Sequence, residues 1–180
     1  MGKSVKIKTA LLHKMAEHVL SHGLNSASLR PLAMAARTSD RMLIYHFGSK
    51  DALIADLLLH LAVDLKTRLD SALPPVRAAS NGRYLEDVVG LLRKSPFNRY
   101  MRVWLDIVST ASNGSQSHKA IGQKMIEGYL EWLGSRLPVG SADPDATLAV
   151  VFTIIEGVLV MDAVGQGKLA DKAVKHAFRG

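Results

Sequence analysis

Leu53, Leu57, Leu61, Leu65 and Leu69 recur every four residues. That spacing lays one apolar stripe along an α-helix and constrains the chain more than any other feature. Ile7, Leu11, Met15 and Val19 repeat it near the start. No stretch reads as a strand, because Ala and Leu dominate where β-branched residues would be needed. The expected class is therefore all-α.

Punctuation divides the helices. Gly23 supplies a stop for the first. Ser28 is an N-cap for a short second helix with Leu29, Leu32, Ala33 and Ala36 on its apolar face. Pro31 falls in the first turn, which tolerates it, and it leaves the Ser28 hydroxyl one fewer backbone donor to cap. Thr38 or Ser39 caps a third helix to about Phe47. Gly48-Ser49 closes it and opens the long leucine helix, which Pro74-Pro75 ends. Breaks at 79–82, Ser95-Pro96, 112–114, 138–144 and 165–167 leave four or five further helices, about nine in all. Asp143-Pro144 is a helix start, with Asp at the N-cap and Pro at the first position.

Composition excludes several classes. With 48% hydrophobic and 22% charged residues the chain is globular rather than disordered. It has no cysteine, so disulfide scaffolds, Cys-based zinc sites and thiol catalysis are out. The apolar run from Ala146 to Val164 is interrupted by Thr153, Glu156, Gly157 and Asp162, and reads as a helix buried on most sides rather than a membrane span. Charge is unevenly spread. Residues 1–50 hold eight Lys/Arg against two Asp/Glu, and the rest hold fifteen against fourteen. A basic head on a near-neutral body fits a polyanion partner, with a plain solvated surface as the alternative.

Two short helices joined at Arg37-Thr38, braced by the first helix, form a helix-turn-helix. The third helix has a polar front, Thr38, Ser39, Asp40 and Arg41, and an apolar rear, Leu43, Ile44 and Phe47. That division suits a helix that enters the DNA major groove, about 12 Å wide, and docks behind on its neighbours.

The segment "SLRPLAMAARTSDRMLIYHFGSKDALIADLL" resembles the DNA-binding segment of the TetR family of bacterial transcriptional repressors. The Ser-Leu-Arg start, the core ending in Tyr-His-Phe and the Gly-Ser-Lys exit fall in the family's order and spacing, over about residues 7–60. The resemblance implies phosphate contacts from Ser28, Tyr45, His46 and Lys50. It implies base contacts from Thr38, Ser39, Arg41 and Arg30. Asp40 would accept from a cytosine amine or form an ion pair with Arg37 or Arg41, and Met42 would touch a thymine methyl or pack. Two positions depart from the pattern: Arg37-Thr38 stands where the family often has Gly-Val, and Ile44 where it often has Tyr.

His13, His18 and His22 share the first helix, but no metalloprotease pattern accompanies them, and a partly exposed basic face is the expected reading. There is no phosphate-binding Gly loop, nucleophile elbow or catalytic carboxylate pair. Phe97, Tyr100, Met101, Trp104, Met125, Tyr129 and Phe152, with Trp132, are candidate lining for an apolar ligand pocket, with Glu156 facing it, making a salt bridge or sitting at a subunit contact. The resemblance implies that helices over 143–165 and 168–178 pair with a second copy as a four-helix bundle.

The expectation is a cytoplasmic DNA-binding regulator, a repressor. Residues 1–48 would form the DNA-binding head, and 49–180 a helical effector-binding and dimerisation domain entered by the long helix. It would bind a near-palindromic, double-stranded operator as a homodimer and be released by a small, mainly apolar effector. It would use no cofactor, metal or membrane. Three alternatives stay open: a regulator of this type without a small-molecule effector, an all-helical enzyme, and a nonspecific DNA compactor.

Overall fold

The computed structural model describes residues 3–140 and 143–178, with side chains from Val5 onward. Nine α-helices and no strand occur among them. They are α1 (Lys3–His22), α2 (Leu29–Ala36), α3 (Asp40–Phe47), α4 (Lys50–Ala72), α5 (Asn81–Leu92), α6 (Phe97–Ser112), α7 (Gln116–Gly134), α8 (Pro144–Ala163) and α9 (Gly167–His176). A 3-10 turn, Leu24–Ser26, joins α1 to α2. The chain divides into two units. One comprises Met1–Leu65 with Arg102–Met125, the other Lys66–Met101 with Ile126–Gly180.

The expected caps set the boundaries. Gly23, at φ 84°, ends α1, and Gly48, at φ 86°, ends α3. The hydroxyls of Ser39 and Ser49 accept from the Met42 and Ala52 N–H groups at 3.3 and 3.1 Å, opening α3 and α4. The Asp143 carboxylate accepts from the Ala146 N–H at 2.9 Å, and Pro144 opens α8. One start moves. Ser80 accepts from the Arg83 N–H at 3.2 Å, so α5 begins at Asn81 and absorbs Gly82, which was expected in the break. Ser141 and Ala142, within the break expected over 138–144, lie outside the described residues.

In the first unit α1 packs on α2, and α2 on α3. Met15, Val19, Leu20, Leu32, Ala33, Ala36, Leu43 and Phe47 are buried, as are Leu53, Leu57 and Leu61 of the leucine repeat. Two residues of α6 secure the corner after α1. Arg102 donates to the Leu20 carbonyl at 2.7 Å, and Asp106 accepts from the Leu24 N–H at 2.8 Å. Those backbone groups lie where the helix can no longer satisfy them, so they need partners.

In the second unit α5, α8 and α9 pack on one another around Tyr84, Leu85, Val88, Val151, Ile155, Val158, Ala170 and Val174. Arg93, just past α5, forks onto both Asp162 oxygens at 2.7 and 2.8 Å and reaches Asp171 at 2.6 Å, linking α5 to α8 and α9. Arg136 is the buried charge here. It donates to the Leu73 carbonyl at 2.9 Å and to Asp70 at 2.7 Å, and its guanidinium lies 4.4 Å from the Trp132 ring centre. A buried arginine persists only when its donors are used in this way.

One sequence expectation is corrected. In the single chain α8 is not buried on most sides. Ala146, Ala149, Val150, Thr153, Gly157, Val160 and Val164 are exposed. They recur at helical spacing, so one face packs on α5 and α9 while the other carries a small, apolar stripe. By length and composition alone α8 could also cross a membrane.

Candidate nucleic-acid interface

The α2–α3 turn depends on Arg37, which adopts the left-handed conformation at φ 55°, ψ 51°. Its N–H donates to the Met34 carbonyl at 3.1 Å, and the Thr38 N–H reaches the Ala33 carbonyl at 2.9 Å. This crossed pair is the Schellman closure of a helix, which glycine usually supplies. The first unit thus makes a glycine-type turn with a side chain that tolerates it poorly. The Lys14 ammonium lies 3.5 Å from the Ala36 carbonyl, where positive charge suits the end of a helix. Lys8 lies 5.1 Å over the Phe47 ring.

On α3, Leu43 and Phe47 are buried, whereas Ser39, Asp40 and Arg41 are exposed and Met42 is 40% exposed. Tyr45 is 77% exposed and meets His46 edge-on, with ring centres 5.2 Å apart. His46, Thr38 and Ile44 are half-buried. Asp40 forms no ion pair with Arg37 or Arg41 among the described residues.

Ser28 is the N-cap of α2, is exposed, and makes no side-chain capping bond. The cause is local, since Pro31 has no N–H at the third helical position. Arg30 is exposed one turn before Met34, which is 72% exposed. Lys50 is exposed at the first position of α4. Ser28, Arg30, Arg37, Arg41, Tyr45 and Lys50 are thus all solvent-facing side chains of one unit. Met34 was not singled out from the sequence, although its place between the buried Ala33 and Ala36 is a periodicity signal for exposure.

The body residues separate. Trp104 and Met125 belong to the first unit, where the Trp104 ring lies 3.8 Å from a Cβ built at Gly122. Phe97, Tyr100, Met101, Tyr129, Phe152 and Glu156 belong to the second. There Tyr129 stacks on Trp132 and meets the edge of Phe152. Phe97 and Tyr100 are buried, while Met101, Phe152 and Glu156 are half-buried. His18 and His22 stack on each other at 4.4 Å, and no group of three or more His, Asp or Glu arranged for a metal occurs among the described residues.

Helices α1 to α3 make a helix-turn-helix with the polar side of α3 facing solvent. Residues 12–57 match the model of the bacterial regulatory proteins, tetR family. That match covers the helix-turn-helix part of the first unit. Solved structures share the fold across nearly the whole chain. A protein from Rhodococcus sp. assigned as a TetR-family transcriptional regulator superposes with a TM-score of 0.73 at 15% identity, covering 96% of each chain. A transcriptional regulator from Rhodococcus sp. Rha1 gives 0.64 at 22% identity, covering 97% of this chain and 92% of that one. GusR of Salmonella enterica gives 0.65 at 16% identity, covering 95% and 90%. No curated protein matches the sequence.

Proposed function

We propose that the protein is a cytoplasmic transcriptional repressor that binds a near-palindromic operator as a homodimer. The carrying observation is the division of α3, which buries Leu43 and Phe47 and presents Ser39, Asp40, Arg41, Met42 and Tyr45 to solvent. In this reading residues 1–48 are the DNA-binding head and 49–180 the effector and dimerisation domain. Thr38, Ser39, Arg41 and Arg30 read bases, with Arg41 aimed at guanine. Asp40 accepts from a cytosine amine, and Met42 touches a thymine methyl. Ser28 meets a phosphate at the N-terminus of α2, where N–H groups and the helix dipole favour anions. Tyr45, His46 and Lys50 hold further phosphates, and these contacts set register rather than sequence.

The dimer reading is supported by the exposed stripe of α8. A second copy would cover Val150, Gly157, Val160 and Val164, and nothing lies within 4 Å of a Cβ built at Gly157, which leaves room for close approach. The effector reading is supported by the aromatic group around Tyr129 and Trp132 in the second unit. A small apolar effector acts only through a difference in affinity between the operator-bound and released states. The chain is read as a regulator rather than an enzyme.

Selection from a pool of random duplexes at physiological salt tests this reading. The expected result is an enriched inverted repeat whose half-sites lie about one helical turn or more apart. Recovery without a consensus would sink the operator-binding reading.

A further inference from the structure

Arg37 holds a positive φ without being glycine, at φ 55° and ψ 51°. A side chain in that conformation costs free energy that glycine would not, and Asn or Asp would cost less. Strained backbone persists where something over-determines it, and it concentrates at functional sites. Three roles inside the fold would offset the cost of an arginine at the end of α2. An ion pair is the first. Asp40, three residues on, makes none with Arg37, and the guanidinium forms no hydrogen bond, ion pair or ring contact among the described residues. Capping the last carbonyls of α2 is the second. The Arg37 and Thr38 N–H groups take Met34 and Ala33, and the Lys14 ammonium lies 3.5 Å from the Ala36 carbonyl. Complementing the helix dipole is the third, and Lys14 already holds a cation at that end. Nor does burial offset the strain, because Arg37 is exposed.

Its position supplies a reason outside the fold. Ser39, the N-cap of α3, follows two residues later, so the two Cα atoms are at most about 7 Å apart. A recognition helix presents its N-terminal residues to the base edges of the major groove, whose rims carry the phosphates. Ser39, Asp40 and Arg41 occupy that N-terminal end. Arg37 precedes the helix and stands at the rim. A planar guanidinium matches a phosphate in a bidentate fork. Glycine in its place would keep the turn and lose the charge.

We propose that Arg37 is a further DNA contact, a clamp on a backbone phosphate beside the groove that α3 enters, and that the strained turn is retained for it. The inference rests on the DNA-binding reading given above. It adds a contact that the family resemblance does not imply, since that pattern often has glycine here.

Binding of the full chain to a scrambled duplex, followed by fluorescence anisotropy over a range of salt, tests it. Wild type is compared with Arg37→Asn, Arg37→Lys and Lys119→Gln. Asn tolerates the left-handed conformation and lacks the charge. Lys119 is an exposed cation of α7, outside the helix-turn-helix, so its loss controls for net charge alone. Each phosphate contact contributes about 0.9 to the salt slope. Arg37→Asn is expected to lower the slope by about one unit, so that the wild-type advantage shrinks about 3.5-fold between about 50 and 200 mM salt. Arg37→Lys and Lys119→Gln should keep the wild-type slope. Without DNA, Arg37→Asn should melt at the same or a higher temperature than wild type. An Arg37→Asn slope equal to that of Lys119→Gln overturns the proposal. So does an Arg37→Asn protein that melts several degrees lower, because the guanidinium then has a partner inside the fold. A loss confined to the selected operator overturns the phosphate assignment and makes Arg37 a base contact. A wild type without salt-dependent binding to any duplex sinks the DNA-binding reading itself, and the Arg37 contact with it.

Discussion

Asp106 accepts the backbone N–H of Leu24 at 2.8 Å across 82 positions of chain. Arg102, one turn earlier on α6, donates to the Leu20 carbonyl at 2.7 Å. The corner that turns α1 toward α2 is therefore held by α6 as well as by its own bonds, among them the Ser26 hydroxyl donating to the Gly23 carbonyl at 2.7 Å. Gly23 belongs to the same contact, since a Cβ there would stand 3.3 Å from the Asp106 carboxylate and the backbone sits at φ +84°.

Removing that acceptor leaves a part-buried N–H unsatisfied. Asp106→Ala is expected to destabilise the protein by about 1–3 kcal/mol, measured by urea denaturation. Asp106→Asn keeps an acceptor oxygen and is expected to recover most of the loss. Equal midpoints for wild type and Asp106→Ala would show that the bond contributes nothing.

Arg37 is the positive-φ residue other than glycine among the described residues. Arg37→Gly is expected to raise stability by roughly 1 kcal/mol, because the left-handed conformation then has no Cβ to accommodate. For a chain of this size that is about 2–4 °C in melting temperature. A lower melting temperature would mean that the arginine side chain is held by contacts worth more than the strain.

Much of the fold was legible because its signals are local. Ser28, Ser39, Ser49 and Asp143 mark helix starts, Gly23 and Gly48 mark ends, and each acts within four residues of itself. The burial of Leu43 and Phe47 opposite an exposed Tyr45 followed from helical period. The Asp106–Leu24 bond did not, because no local pattern encodes a partner so far along the chain. The same holds for Asp70, Trp132 and Arg136, where Asp70 Oδ1 accepts from both Trp132 Nε1 and Arg136. The exposure of one face of α8 in the single chain was misread for another reason. Its apolar composition reports that the helix must be covered, and says nothing of whether this chain does the covering. At the interface, the family pattern named side chains but not conformations. Arg37 could be read as a departure from glycine, yet only its dihedrals show that it adopts the left-handed conformation glycine favours.

His18 and His60 give the first unit a pH dependence. Burial lowers both imidazoles below the ordinary histidine range. For His18 the stacked His22 adds to this and the Ser26 backbone opposes it; for His60, Asp64 opposes it and His13 adds to it. The folded protein therefore binds fewer protons than the unfolded chain. The stability this contributes is full above the ordinary histidine range and is lost as pH falls through it toward the lowered values. Urea midpoints are expected to drop between pH 7.5 and pH 5.5, and the drop should shrink in a His18→Gln, His60→Gln protein. An unchanged drop in that variant would place the titration elsewhere.

The most direct test compares wild type, Arg41→Ala and Lys50→Ala on the selected operator and on a scrambled duplex, by fluorescence anisotropy over a range of salt. Wild type should prefer the operator by about a thousandfold or more. Arg41→Ala should lose about 1–3 kcal/mol on the operator and little on the scrambled duplex. Lys50→Ala should weaken both and lower the salt slope by about one unit. Equal losses on both duplexes for Arg41→Ala, with no operator preference in wild type, would contradict sequence reading by α3.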